Sequence, residues 1–133
     1  MSIRSIRTAL ETAINGMSAL ATAWENVPYT PVTGTPYQRV FLLVAQPDNR
    51  VLGSNYTEQG ILQVSLMYPI NTGTNAAATR AELLRTTFKR GNTYSSGGIT
   101  VLITKTPEIG TGTTDGDRFV IPVKIRWSAD ILS

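Results

Sequence analysis

Apolar residues recur every three or four positions at Ile3, Ile6, Leu10, Ile14, Met17, Leu20 or Ala21, and Trp24. That spacing draws one stripe along a helix and predicts it over Ser2–Glu25. Gly16 falls inside this stretch, at a cost of about 1 kcal/mol relative to Ala. The pattern then changes. In Tyr37–Gln46, Val40, Leu42 and Val44 fall on one face, and Phe41, Leu43 and Ala45 on the other. Apolar residues on both faces predict a central strand, covered on both sides or buried in an oligomer. Pro47–Thr57 is a polar excursion opened by the turn-like Pro47-Asp48-Asn49, with Val51 and Leu52 as a short edge extension. Gln59–Tyr68 is a second strand, with Leu62, Val64, Leu66 and Tyr68 on one face, and Pro69 ends it.

Asn71–Gly91 reads as a loop and a second helix, Ala76–Phe88. Thr74 or Asn75 is its N-cap, and Ala77 or Ala78, Ala81, Leu84 and Phe88 point inward. Gly91 suits a left-handed C-cap. Ile99–Thr104 is a third strand, and Pro107–Asp117 is a loop rich in Gly and Thr. In the last strand, Arg118–Trp127, Phe119, Ile121, Val123, Ile125 and Trp127 face the core, while Arg118, Lys124 and Arg126 face outward. Pro122 cannot donate a ladder hydrogen bond, which predicts an edge or bulged strand. The order is α-β-β-α-β-β. It predicts an α+β fold, a single domain over residues 1–133, with a mostly antiparallel sheet and two helices packed on one face. The expected core anchors are Trp24, Phe41, Phe88, Phe119 and Trp127, with Trp24 closing the core end of the first helix.

Between the first helix and the first strand stand three prolines, Pro28, Pro31 and Pro36. Each fixes φ and biases the preceding residue away from the helical region. The join is therefore held in one shape. Pro31 and Pro36 are the candidate contact residues of this loop.

Composition narrows the function. The 133 residues include no Cys and no His. Thiolate sites, Cys nucleophiles and the usual neutral-pH base are excluded. Asp115-Gly116-Asp117 lacks the further oxygen ligands of a calcium loop and reads as a turn. Gly110-Thr111-Gly112 has no following Lys, so it is not a phosphate loop. Asp48, Glu58 and Glu82 are not spaced as a catalytic pair. Ser95 and Ser96 have no His to activate them. The chain is therefore expected to be no enzyme and to hold no cofactor or metal. No apolar run has membrane-span length, and an intracellular protein is the default. Net charge is +3, with 41% apolar and 16% charged residues. That is mildly basic, short of a dedicated nucleic-acid binder. Arg4 and Arg7 stand where the helix dipole disfavours cations. They are either solvated or reach an acidic partner.

Several stretches resemble the tail terminator-like proteins of long-tailed bacteriophages. They are Trp24-Glu25-Asn26, Pro28-Tyr29, Pro31 and Pro36-Tyr37, then Gly60-Ile61-Leu62-Gln63-Val64 and Met67-Tyr68-Pro69. The helix Ala76–Phe88 follows, ending in Lys89-Arg90-Gly91. The resemblance covers roughly Ile6 to Trp127. It implies a virion tail protein, made in the host cytoplasm, that forms a homohexameric ring on the completed tail tube. Such a ring stops tube polymerisation and docks to the head. The implied partners are copies of itself, the tail tube protein and the head-neck connector proteins, with DNA only passing through the lumen and no membrane. The ring state is expected in solution or only on the tail. Arg4, Arg7, Arg80 and Arg85 then become candidates for inter-subunit or lumen contacts. Pro31, Pro36, Arg50, Asp115 and Asp117 become candidate loop contacts, within loops that include Pro47–Gln59, Asn71–Asn75 and Thr106–Asp117. The alternatives are a head–tail connector or stopper of the neck and, further off, a small basic nucleic-acid-binding module.

Overall fold

The computed structural model describes the chain except residues 1, 18–19, 50–52, 72 and 132–133. Arg50 and the Val51-Leu52 extension lie outside the described residues. The order is α1 (Ser2–Asn15), β1 (Ala21–Trp24), β2 (Tyr37–Val44), β3 (Tyr56–Pro69), α2 (Asn75–Thr87), β4 (Thr93–Ser96), β5 (Ile99–Ile103), β6 (Glu108–Ile109), β7 (Thr113–Asp115) and β8 (Arg118–Ile131). The strands form one mixed eight-stranded sheet, ordered β1-β2-β3-β8-β5-β4, with β6 and β7 also paired to β8. β1 is parallel to β2. The other strand pairings are antiparallel. The α+β class holds, but the strand order is richer than α-β-β-α-β-β.

The first correction concerns residues 16–25. The helix stops at Asn15. The Gly16 amide donates to Thr12 O at 3.0 Å, and the Met17 amide to Ile14 O at 3.1 Å as the turn tightens. Gly16 thus ends the helix rather than weakening its middle. Ala21–Trp24 is a strand in register with Tyr37–Val40. Ala-Thr-Ala-Trp alternates as well as it continues a helical stripe, and the parallel ladder supplies its backbone partners. Trp24 therefore does not close the helix. It is half-buried and packs against the main core from β1.

That core joins Ile6, Leu10 and Ile14 of α1, and Ala77, Ala81 and Leu84 of α2, to Val40, Leu42, Leu62, Val64, Leu66, Val123 and Ile125 of the sheet. Phe88 and Trp127 are buried within it, and Phe119 packs against it half-buried. Phe41 is outside. Its neighbours Val40 and Leu42 claim the inner face, so strand alternation turns Phe41 outward, half-buried and opposite Gln63. Trp127 fits because its cross-strand partner is Gly60. A Cβ on Gly60 would stand 2.9 Å from the indole Cζ2.

The second correction concerns Pro122. β8 is not an edge. It pairs along its length with β3, and on its other side with β5, β6 and β7 in turn. The missing amide is absorbed by the partner. Ile109 opposes Val123 and Thr113 opposes Val120, so residues 110–112 span only Ile121 and Pro122. This is a bulge between two strands that the sequence pattern assigned to one loop. The Gly110 amide donates to Pro122 O at 2.8 Å, and any side chain at Gly112 would collide with the Phe119 ring. Gly91 also differs from expectation. The C-cap of α2 is Phe88, and Gly91, with φ 92°, donates to Ile103 O where β4 begins.

Candidate interaction surface

The prolyl loop, residues 25–36, connects two parallel neighbours and must cross from the end of β1 back to the start of β2. It lies against the sheet face opposite the main core. There Tyr37, Ala23 and Met67 form a small second cluster with Tyr29 and Val120. The Tyr29 and Tyr37 rings stand 5.0 Å apart and tilted by 30°.

Arg118 fastens the loop. The ladder sets Arg118 opposite Pro69, just beyond Met67, which is itself opposite Tyr37. Its guanidinium donates to Val32 O at 2.6 Å and also to Thr35 O. Its Cζ lies 5.0 Å from the centre of the Tyr37 ring. A turn closes between these carbonyls, with the Thr35 amide on Val32 O at 3.1 Å and Gly34 at φ 79°. The planar fork of arginine is what spans two carbonyls at once. The loop is thereby fixed at its far end while Val27, Pro28, Pro31 and Val32 stay exposed and Pro36 is half-buried.

Glu25 fixes the near end. Its Oε1 accepts the Leu42 amide at 2.6 Å, where β1 has ended and β2 has lost its ladder partner. The same oxygen takes the Arg7 guanidinium at 3.1 Å. Arg7 also reaches Glu11 at 3.5 Å. This carboxylate stands in for the next strand's carbonyl and is neutralised from α1.

The other predicted contacts are scattered. Arg4 is exposed, with no side-chain bond among the described residues. Arg80 is buried and donates to Gln38 Oε1 at 3.2 Å. Burial pushes its guanidinium below the usual arginine value, and the nearby Tyr68 works the other way. Arg85 donates twice to Pro107 O, at 3.0 and 3.1 Å. Three of the four arginines are thus engaged inside the subunit. Asp115 and Asp117 are exposed beside Arg118. They line a shallow groove of about 440 Å³ with Tyr37, Arg39, Ser65 and Met67. Among the described predicted contacts outside the prolyl loop, Asp115 and Asp117 meet its anchor.

Sequence reasoning missed Arg118, Glu25 and the Tyr29–Tyr37 pair. Alternation put Arg118 on the outward face correctly, but nothing local announced that the loop would cover it. Beyond the loop, no helix of the described residues packs on the same face. Phe41, Leu43 and Ile61 share it with Arg39, Lys124 and Arg126, and Leu43 is 50% exposed. Glu108 lies 3.8 Å from Arg126 across this face. No helix among the described residues is long and apolar enough to cross a membrane, and those residues include no cluster of three metal-ligating acids.

The model for the phage tail terminator protein family matches residues 5–127. The chain belongs to the phage tail terminator family. This family is a structural one, and its members are components of the virion tail. A solved structure 27% identical to this chain covers 100% of it, and 99% of that structure's own chain is matched, with a TM-score of 0.81. No curated protein matches the chain in sequence.

Proposed function

We propose that this chain forms a homohexameric ring on the end of the tail tube, stops further tube polymerisation and offers the surface to which the head docks. The observation that carries this reading is the family match over residues 5–127, which takes in the pinned loop and nearly all of the domain. The geometry is consistent with it. On the face away from the main core β2 carries Leu43, 50% exposed beside the half-buried Phe41, as a strand covered by another subunit would. The prolyl loop is pre-shaped by Arg118 and Glu25, so a partner would meet it without first paying its ordering entropy.

The partners on this reading are further copies of the chain, the tail tube protein and the head-neck connector proteins, assembled in the host cytoplasm. DNA passes through the lumen. Arg4, exposed and unengaged among the described residues, is the best placed of the four predicted arginines for a contact outside the subunit. Electron microscopy of particles made without this protein tests the proposal. Overlong or unjoined tails are expected. Tails of normal length beside DNA-leaking heads would instead identify a connector or stopper and overturn it.

A further inference from the structure

A closed ring joins two unlike patches around its axis. This inference rests on the ring reading above and asks which patches meet. The sheet ends at β1 on one side and at β4 on the other. Each is four residues long. Among the described residues, neither has a strand on its outer side.

The direction of the free backbone groups follows from the ladders. In β4, Ser96 and Ile99 close a two-residue turn made by Gly97 and Gly98 at φ 58° and 80°. The Ile103 amide donates to Asn92 O at 3.0 Å. Alternation then aims Tyr94 and Ser96 at β5, and the amides and carbonyls of Thr93 and Ser95 outward. In β2, the Leu42 amide goes to Glu25 on the β1 side, while the Ala45 amide goes to Gln59 O on the β3 side. Gln38 and Val40 therefore serve β1. By the parallel pattern, Ala21 and Ala23 serve β2, which leaves the Thr22 amide and carbonyl and the Trp24 amide aimed outward, the Trp24 carbonyl taking the Val27 amide at 3.3 Å.

Strand direction fits as well. β1 and β2 run one way, β3 reverses, β8 returns, β5 reverses, and β4 returns. β1 and β4 thus point the same way. A rotation that sets β4 of one copy beside β1 of the next preserves that direction and makes a parallel ladder. The faces also continue. Trp24 and Tyr94 both pack towards the main core, so Ala21, Ala23, Thr93 and Ser95 share the opposite face. The side chains that would meet there are small and uncharged. Exposed edges are commonly blocked by charge or proline. β6 and β7 carry Glu108 and Asp115, whereas β1 (Ala-Thr-Ala-Trp) and β4 (Thr-Tyr-Ser-Ser) carry neither charge nor proline.

We propose that β4 of one copy adds to β1 of the next as a parallel four-residue ladder, with Thr93 opposite Ala21 and Ser95 opposite Ala23, so that the sheets run continuously around the ring.

The absence of native cysteine makes cross-linking a clean test. Neighbouring strands lie about 4.8 Å apart, within disulfide reach. The full chain carrying both Ala21→Cys and Thr93→Cys is oxidised mildly, alone and with isolated tail tubes. A reducible series of covalent oligomers extending beyond the dimer is expected, while each single-cysteine variant gives dimers at most. Adding Ser95→Pro removes an outward amide that β5 does not use, and the yield beyond dimer should fall at least tenfold. Ser95→Lys should act alike. Circular dichroism and the urea midpoint establish that both variants fold. Wild-type rings on tubes, with no covalent series and with Ser95→Pro rings intact, overturn the edge pairing and leave the ring reading standing. Single-cysteine dimers that match or exceed the series indicate symmetric β1–β1 or β4–β4 pairing and also overturn it. A wild-type chain that never assembles on tubes refutes the ring reading and the edge pairing together.

Discussion

Arg118→Ala is the perturbation that separates the loop from the fold. The Arg118 side chain is only 5% exposed and holds Val32 O and Thr35 O. Each hydrogen bond to a charged donor contributes about 1.5–3 kcal/mol, and a cation over an aromatic face about 0.5–2 kcal/mol. The sum overstates the loss. Val32 and Thr35 lie on an exposed loop, and their carbonyls regain water once the loop lifts, so the cost is capped by the docking energy of the loop itself. We expect Arg118→Ala to cost about 2–4 kcal/mol in urea unfolding, near the upper end for single substitutions. Arg118→Lys keeps the charge but offers a compact ammonium that cannot span both carbonyls, so it should recover about half of the loss. Hydrogen exchange at the Thr35 amide, which closes the turn onto Val32 O, reads the loop directly and should accelerate at least tenfold in Arg118→Ala. A cost under about 0.5 kcal/mol, with Thr35 exchange unchanged, would refute the clamp.

Four further outcomes follow from the same contacts. Glu25→Ala should cost about 1–3 kcal/mol by leaving the Leu42 amide unpaired, while Glu25→Gln retains an acceptor and should cost less than half as much; equal losses would show that the amide is satisfied otherwise. Gly60→Ala should cost about 1–3 kcal/mol, because the new Cβ meets the Trp127 indole at 2.9 Å and the Leu43 carbonyl, and an unchanged urea midpoint would contradict this. Replacing Pro31 and Pro36 together by Ala should impair tail capping, scored by tail length in micrographs, more than it lowers the melting temperature; equal loss of both would confine the segment to a folding role. Burial raises the Tyr68 phenol above its ordinary value, with Arg80 partly offsetting it. The folded state then holds that proton more tightly, so this contribution is intact below about pH 10 and is lost as pH rises through the folded value. Tyr68→Phe should flatten the fall in melting temperature above pH 10, and identical slopes in both proteins would contradict the assignment.

The legible parts of the fold are those where one pattern had one solution. Ile121, Val123, Ile125 and Trp127 could only line one face of a strand, and Ala81, Leu84 and Phe88 only one side of a helix. Residues 16–25 had two solutions. Leu20, Ala21 and Trp24 satisfy a helical period and a strand period alike, and the choice was made by a ladder with Tyr37–Val40, which is remote information. Pro122 likewise excluded an ordinary central strand locally, yet the partner strand absorbed the defect by bulging at Gly110–Gly112. The site was less legible than the fold for the same reason. The prolines announced a rigid loop, but its anchors, Arg118 and the Glu25–Leu42 bond, join positions that only the folded sheet brings together.

The sheet face away from the main core also bears on which class of partner it would suit. Read along the strand, Arg118, Lys124 and Arg126 look like a basic strip fit for phosphate. In the fold that strip is broken up. Arg118 is spent on the prolyl loop, Arg126 has Glu108 within 3.8 Å, and Lys124 stands in register with the same Glu108. Arg39 shares its groove with Asp115 and Asp117. Nucleic-acid affinity grows with the number of phosphates neutralised by uncompensated cations, and of these cations Arg118 and Arg126 have an acid within 4.0 Å. Between them lie Phe41, Leu43 and Ile61, which a phosphate backbone would leave exposed. Mixed charge around partly exposed apolar side chains is the anatomy of a protein contact. On a chain of the tail terminator family, that favours another virion subunit over DNA as the occupant of this face.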